Sequence, residues 1–341
     1  MGYVSRSRKR LGRYFFTRPI DALLSIVIIS LITWAIITTA HWVIFSADWN
    51  VVLNNIPLYL FGSYPVEQRW RPVLWISLLI TFTALTLLGP RNGRLRNLLP
   101  LIWIAMVPVG VVLLAGGLGF TTVSSRSWGG LTLTLLLTAS SGALALPLGI
   151  LLALSRNSQL TFVRYLSSIF IDAMRAVPLI AVLFFGQLLI PLFLPVGFEV
   201  NRVLRAVIAF GLFASAYVAE DVRGGLQSIP RTQIEAATVL GLNQRQIVLL
   251  ILLPQALRIA LPALTNQAVG LLQNTSLMAI LGLVELLGIS RSLLANPEFI
   301  GRYLEVYVWL AVVYWLVCTL MALLARHLEQ QLSISKPIIQ S

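Results

Sequence analysis

The chain has 341 residues, 58% of them hydrophobic and only 11% charged, with a mean hydropathy of +0.87. Soluble globular proteins carry about 25% charged residues, so most of this surface does not face water, and the high hydrophobicity excludes disorder. A formal net charge of +13 would point to nucleic acid in a soluble protein. Here the arginines stand between apolar runs, where membrane topology accounts for them and no nucleic-acid partner is needed.

Crossing the hydrocarbon as a helix takes about 20 apolar residues. Eight stretches qualify, at 21–45, 72–89, 98–118, 129–154, 177–195, 204–220, 259–283 and 304–326. The expected fold is therefore an all-α integral membrane protein with eight transmembrane helices. The first stretch follows a basic segment (Arg6, Arg8, Lys9, Arg10, Arg13, Arg18). It is too long for a signal peptide and has no small-residue cleavage site, so it reads as a retained anchor.

Between the first two stretches lies 46–71, rich in Trp49, Tyr59, Phe61, Tyr64 and Trp70, side chains that suit the membrane–water interface. The fifth stretch starts at Val177 because an earlier frame puts Asp172 and Arg175 in mid-bilayer, at about 2.5–3.5 kcal/mol each. The residues before it then form an interfacial helix with those two paired at i, i+3.

The positive-inside rule sets the orientation. With the N-terminus inside, 18 of the 25 basic residues are cytoplasmic. The other 7 (Arg69, Arg71, Arg126, Arg202, Arg205, Arg291, Arg302) are outside. Both termini are expected in the cytoplasm.

Several chemistries have no residues to carry them. Lys9 and Lys336 are the only lysines and neither follows a glycine loop, so a phosphate-binding P-loop is excluded. Cys318 lies in the last apolar run and reads as a packing residue. His41 and His327 have no metal-ligand spacing. No cofactor or metal is expected on this chain, and no catalytic residue.

The patterned polar segment is 221–258. Thr232 and Glu235 have capping-box spacing, which predicts a helix start; Ala236 and Ala237 favour helix; Gly241 suits the left-handed residue after a helix end. Asn243, with Gln246 three residues on, predicts a second helix that breaks or kinks at Pro254. Ala236, Ala237 and Gly241 would let another protein's surface approach closely.

Glu235-Ala236-Ala237, Gly241 three residues later, and Ile251-x-Leu253-Pro254 together resemble the EAA motif of permease subunits of ATP-binding-cassette (ABC) importers. Further residues are similar to the polar amino-acid subfamily: Arg175-x-x-Pro178-Leu179, Ala216-Tyr217-x-Ala219-Glu220, Arg223-Gly224-Gly225, Asn274-Thr275-Ser276-Leu277 and Glu285-Leu286. Two positions depart from it, with Ala176 where glycine is usual and Gln273 where lysine is common. The arrangement of three extra N-terminal helices before this core resembles the longer, general L-amino-acid permeases.

This resemblance implies three accessory helices (1–125), a five-helix type I permease core (126–330) with a coupling loop at 221–258, and a cytoplasmic tail (331–341). Thr232, Glu235, Ala236, Ala237, Gly241, Leu253 and Pro254 would couple to a separate ATPase that holds ATP and Mg. A solute-binding protein and a second homologous permease, expected to be a different chain, would complete the assembly in a bacterial inner membrane.

Polar groups in hydrocarbon face the bundle interior or a water-filled path. Asn266, Gly270, Gln273 and Leu277 share a helical face, flanked by Gln267, Asn274 and Thr275, and Gln187 is the one strongly polar residue of the fifth stretch. These amides and this hydroxyl are candidates for the path of a polar amino acid, or for helix–helix glue. The competing function, an ion-gradient-driven secondary transporter, needs ionisable groups at mid-membrane. Carboxylates occur only at the edges of the eight stretches.

Overall fold

A computed structural model describes residues 19–89, 93–117, 119–195, 197 and 199–333. The expectations placed on Arg6 to Arg18, Arg91, Lys336, the side chains of Arg94 and Arg96, and the tail after residue 333 fall outside that description. Packing divides the chain between Val51 and Val52.

In the first unit, α1 (Pro19–His41) is apolar all round and buries only Ser25, the pattern of a helix solvated by lipid. It ends in a π-helical turn (Trp42–Ser46), after which Trp49 Nε1 donates to the Val43 carbonyl at 2.9 Å.

The second unit contains α2 (Ile56–Phe61), α3 (Trp70–Leu88), α4 (Gly93–Ala115), α5 (Gly130–Arg156), α6 (Thr161–Ala176) and α7 (Leu179–Phe184). After these come α8 (Arg202–Gln227), α9 (Arg231–Val239), α10 (Leu253–Asn274), α11 (Leu286–Leu294) and α12 (Tyr303–Ser333). Among the described residues 7 helices are long and apolar enough to cross a membrane, and a bent pair brings the number to 8.

That pair is the fifth expected span. Val177 precedes Pro178 and is held extended (φ −95°, ψ 136°), because the proline ring disfavours helical backbone one residue upstream. α6 therefore stops at Ala176, and Leu179–Phe193 leaves at 107° to it. Leu179–Phe193 passes from α-helix through a π-helical turn to a 3-10 turn. At 1.5 Å per residue it is roughly 23 Å long, short of the ~30 Å hydrocarbon.

The helix of the sixth stretch extends beyond the expected span at Glu220: α8 runs on through Asp221 and Arg223 to Gln227. Of the break or kink expected at Pro254, the helix after Asn243 shows no break. It continues from Gln244 to Leu281, with a π-helical turn at Ile247–Leu252 directly ahead of the proline. The wider turn absorbs the missing N–H and the ring's clash with the preceding carbonyls.

Close approach holds the second unit together. α5 and α8 pack along their length, and small residues mark the crossings. A Cβ on Gly149 would lie 2.4 Å from a Val218 methyl, and one on Gly225 would lie 2.4 Å from the Ala256 carbonyl of α10. Without a hydrophobic drive inside lipid, such van der Waals contact is what binds helices.

The aromatic segment departs from expectation too. Tyr59 and Tyr64 are buried rather than interfacial. Tyr64 donates to the Leu114 carbonyl at 3.0 Å, and Tyr59 stacks edge-on against Trp309 at 6.2 Å. Gly62 and Gly129 allow backbone-to-backbone contact, and Thr132 donates to the Leu60 carbonyl at 2.7 Å. The region before residue 125 is thus built into the core at α2.

Arg71, also buried, donates to the Thr121 carbonyl and hydroxyl at 2.8 and 2.9 Å and lies over the Trp70 and Phe120 rings. Among the described residues, hydrogen bonds and aromatic faces take the place of a counter-ion there.

Candidate functional site

The polar segment 228–255 folds as a capped helical hairpin. Its first helix, α9, has Pro230 at the N-cap and no side-chain cap. The expected capping box on Thr232 is not formed, because Pro230 already sets the entry dihedral and Thr232 falls inside the helix. The C-terminal end is as expected. Gly241 takes φ +80°, its N–H bonds the Thr238 carbonyl at 3.0 Å, and Leu242 N–H bonds the Ala237 carbonyl at 3.1 Å. This pairing is a Schellman motif, which satisfies the free carbonyls of α9.

The second helix starts with a full capping box: Gln246 N–H donates to Asn243 Oδ1 at 3.0 Å, and Asn243 N–H to Gln246 Oε1 at 2.9 Å. Replacing Asn243 with alanine leaves one amide uncapped. It is expected to cost about 1 kcal/mol, read as faster hydrogen exchange confined to residues 243–247.

Gln255 ties the two helices, donating to Gln233 Oε1 at 2.7 Å. Thr232, Glu235, Ala236, Gly241 and Pro254 are exposed, Leu253 is half-buried against the core, and Ala237 is buried inside the hairpin. The sequence reading missed the tip. Val239 is 88% and Leu240 80% exposed, two large apolar side chains presented by a rigid turn. The signal was their position directly before Gly241.

At the same end of the bundle Glu220 collects three guanidinium groups. Arg156 reaches it at 2.7 Å, Arg223 at 2.6 Å and Arg175 at 3.5 Å. The expected Asp172–Arg175 pair is replaced: Asp172 meets Arg156 at 3.2 Å, while Arg175 turns to Glu220 and the Tyr217 ring. The helical bend at Val177–Pro178 brings α6 across the ends of α5 and α8. Cross-helix partners then compete with the local i, i+3 one.

The candidate path residues separate into groups. Gln187 is buried in the π-helical turn and donates to the Arg202 carbonyl at 2.8 Å, which fastens the short fifth span to α8. Asn266, Gln273 and Asn274 are exposed on α10, and Gln273 Nε2 approaches Cys318 Sγ at 3.9 Å. Gln267 interacts with the Asp221 carboxylate and lines an apolar cavity of ≈ 380 Å³ between α5, α8, α10 and α12. Thr275 is buried. There α10 gives way to a 3-10 stretch (Thr275–Leu281), so Leu277 does not continue the expected face.

Beyond it Glu285 caps α11, accepting from Leu287 N–H and Gly288 N–H at 2.9 Å each and from Tyr314 Oη at 3.1 Å. Burial pushes its carboxyl above the ordinary carboxylate range, against the pull of the two backbone amides and of Tyr314.

A family described as binding-protein-dependent transport system inner membrane components matches residues 145–334. The chain is 37% identical over 309 residues to the inner membrane amino-acid ABC transporter permease protein YhdY of Escherichia coli (strain K12), covering 89% of this chain and 83% of that one. This chain belongs to that family. It is a membrane component of a binding-protein-dependent transport system.

Another member, the glutamate/glutamine/aspartate/asparagine transport system permease protein BztC of Rhodobacter capsulatus, is 35% identical over 351 residues, with 86% of this chain and 79% of that one covered. Among solved structures, a chain from a crystal structure of an amino acid ABC transporter with histidines superposes with a TM-score of 0.54 at 27% identity. It covers 59% of this chain and 92% of its own. The family match contains the hairpin, the Glu220 cluster and the whole of α10.

Proposed function

We propose that the chain is the permease subunit of an ABC importer for polar L-amino acids, driven through the 232–253 helix pair by a separate ATPase. The carrying observation is the hairpin itself: its turn is capped on both sides by defined motifs, its helices are tied by Gln233–Gln255, and it is tipped by exposed Val239 and Leu240. A rigid element with an apolar tip is what a partner can push. The relatives named for amino acids support the substrate class.

In this reading Thr232, Glu235, Ala236, Ala237, Gly241, Leu253 and Pro254 shape or present the coupling surface. ATP and Mg sit on the ATPase, and hydrolysis is the ATPase's reaction. Gln187, Asn266, Gln267, Gln273, Asn274 and Thr275 belong to the path or support it, with Gln187 and Thr275 in supporting roles. A solute-binding protein delivers the amino acid, and a second, different permease completes the path in a bacterial inner membrane with both termini cytoplasmic.

The division into accessory helices (1–125), core (126–330) and tail (331–341) draws support from coverage. The solved neighbour matches 59% of the chain, and the two longer relatives match 89% and 86%.

The test is reconstitution in proteoliposomes with the candidate ATPase, second permease and binding protein. A loaded binding protein should stimulate ATP hydrolysis and drive uptake of a polar amino acid. A cysteine label at residue 244 should react only from the ATPase side, and one at 199 only from the opposite side. Uptake by the chain alone, driven by an ion gradient, overturns the reading.

A further inference from the structure

Glu285 is fully buried, at 0% exposure, and feels the charge of Arg291 on its own helix, with hydrogen bonds rather than an ion pair holding its carboxylate among the described residues. Helix caps favour short side chains such as Asn, Asp and Ser. A glutamate here caps α11 and also reaches α12, where Tyr314 Oη donates to Oε2 at 3.1 Å. The same Tyr314 hydroxyl lies 3.5 Å from Thr275 Oγ1.

Thr275 is the first residue of the 3-10 stretch that continues α10, and its hydroxyl donates to the Leu272 carbonyl at 2.7 Å. A 3-10 helix turns 120° per residue against 100° in an α-helix. The residue at which α10 changes pitch therefore sets the bearing of α10 relative to the segment that follows it. Gln273 and Asn274, both exposed, are the two residues just before that change.

The backbone on the far side is anchored independently: Gly130 N–H donates to the Val284 carbonyl at 2.9 Å, and Leu286 N–H to Thr134 Oγ1 at 3.3 Å. Glu285 thus stands on a fixed base and holds Thr275 through one intermediary.

We propose that Glu285 is a positioning residue for transport: acting through Tyr314 on Thr275, it fixes where α10 changes pitch and so aims the Gln273 and Asn274 amides into the translocation path. The proposal rests on α10 lining that path. Glu285 and Tyr314 themselves need not touch substrate.

The experiment uses the full transporter in proteoliposomes with saturating binding protein and a panel of radiolabelled polar L-amino acids. The readout is the ratio of uptake rates between the best and second-best amino acid, which mere loss of folded protein leaves unchanged. Tyr314→Phe keeps the ring and removes one hydroxyl, and it is expected to change that ratio about fivefold to tenfold, the effect of one hydrogen bond. Glu285→Gln should shift the ratio in the same direction. Thr275→Val should match Tyr314→Phe, the pair combined should do no more than either alone, and Thr275→Ser should restore the wild-type ratio.

An unchanged ratio in Tyr314→Phe, or additive effects in the pair, overturns the positioning role. The joint variant Gln273→Ala, Asn274→Ala separates the two levels. If it leaves the ratio unmoved, the path reading of α10 fails and takes the proposal with it. If it moves the ratio while Tyr314→Phe does not, only the positioning role fails.

Discussion

Replacing Val239 and Leu240 together with aspartate uncouples transport: the permease still inserts and folds, but loaded binding protein no longer stimulates ATP hydrolysis. Both side chains are exposed and touch little within the chain, so the folded permease loses almost nothing. Burying each in a partner's groove contributes about 1.5–3 kcal/mol, and a carboxylate in the same groove adds a desolvation cost. A combined loss of ~4 kcal/mol weakens docking on the order of 1,000-fold.

Gly241→Val acts on the same turn more weakly. Space around Gly241 is open, so no clash arises, but φ +80° costs a β-branched residue about 1–3 kcal/mol of strain. The measurement is ATPase retention on the immobilised permease complex, with substrate-stimulated hydrolysis in parallel. Retention of the ATPase at wild-type affinity by the double aspartate variant would show that the partner grips another surface.

Glu220→Gln lowers the stability of the bundle end by about 2–3 kcal/mol, below the roughly 3–5 kcal/mol of a fully buried pair because its arginine partners are partly solvated. Its side chain is only 15% exposed, and it balances Arg156, Arg175 and Arg223. Neutralising it leaves three guanidinium groups facing one another on α5, α6 and α8. Asp172→Asn provides the contrast. Asp172 is 59% exposed with a single partner, so its loss should cost ~0.5 kcal/mol or less.

Thermal unfolding in detergent reads the difference, with a drop on the order of 5 °C for Glu220→Gln and little for Asp172→Asn. Equal effects from the two would mean that the cluster is a set of independent surface pairs. The cluster clamps α6 across α5 and α8 just where α8 leads into the hairpin. A loss of ATPase stimulation by Glu220→Gln is therefore expected alongside the loss of stability.

Local chemistry in this chain was legible wherever one or two neighbouring residues decide the backbone. Gly241 and the Asn243–Gln246 box behave as their types require, because a left-handed dihedral and a three-residue cap need nothing from the rest of the molecule. Thr232 and Pro254 show where that reasoning stops. Pro230 had already fixed the helix entry, and a π-helical turn accommodated a proline expected to break or kink the helix.

Asp172 and Arg175 were paired in sequence at a sensible spacing, yet partners on other helices took both. Tyr59 and Tyr64 resembled interface anchors in composition and are core residues in fact. Their hydroxyls found partners in Ser290 and the Leu114 carbonyl, each more than 40 residues away, which no local pattern announces.

Apolar length and arginine placement determined that this is a many-span membrane protein, since the transfer cost of charge into hydrocarbon is paid residue by residue and sums along the chain. The spacing of small and capping residues determined the hairpin turn for the same local reason. Only the packed structure decided that Val239 and Leu240 form a naked tip, that Glu220 gathers three arginines, and that Glu285, Tyr314 and Thr275 meet. Those arrangements depend on which helix ends lie side by side, and this is set by shape fitting between helices distant in sequence.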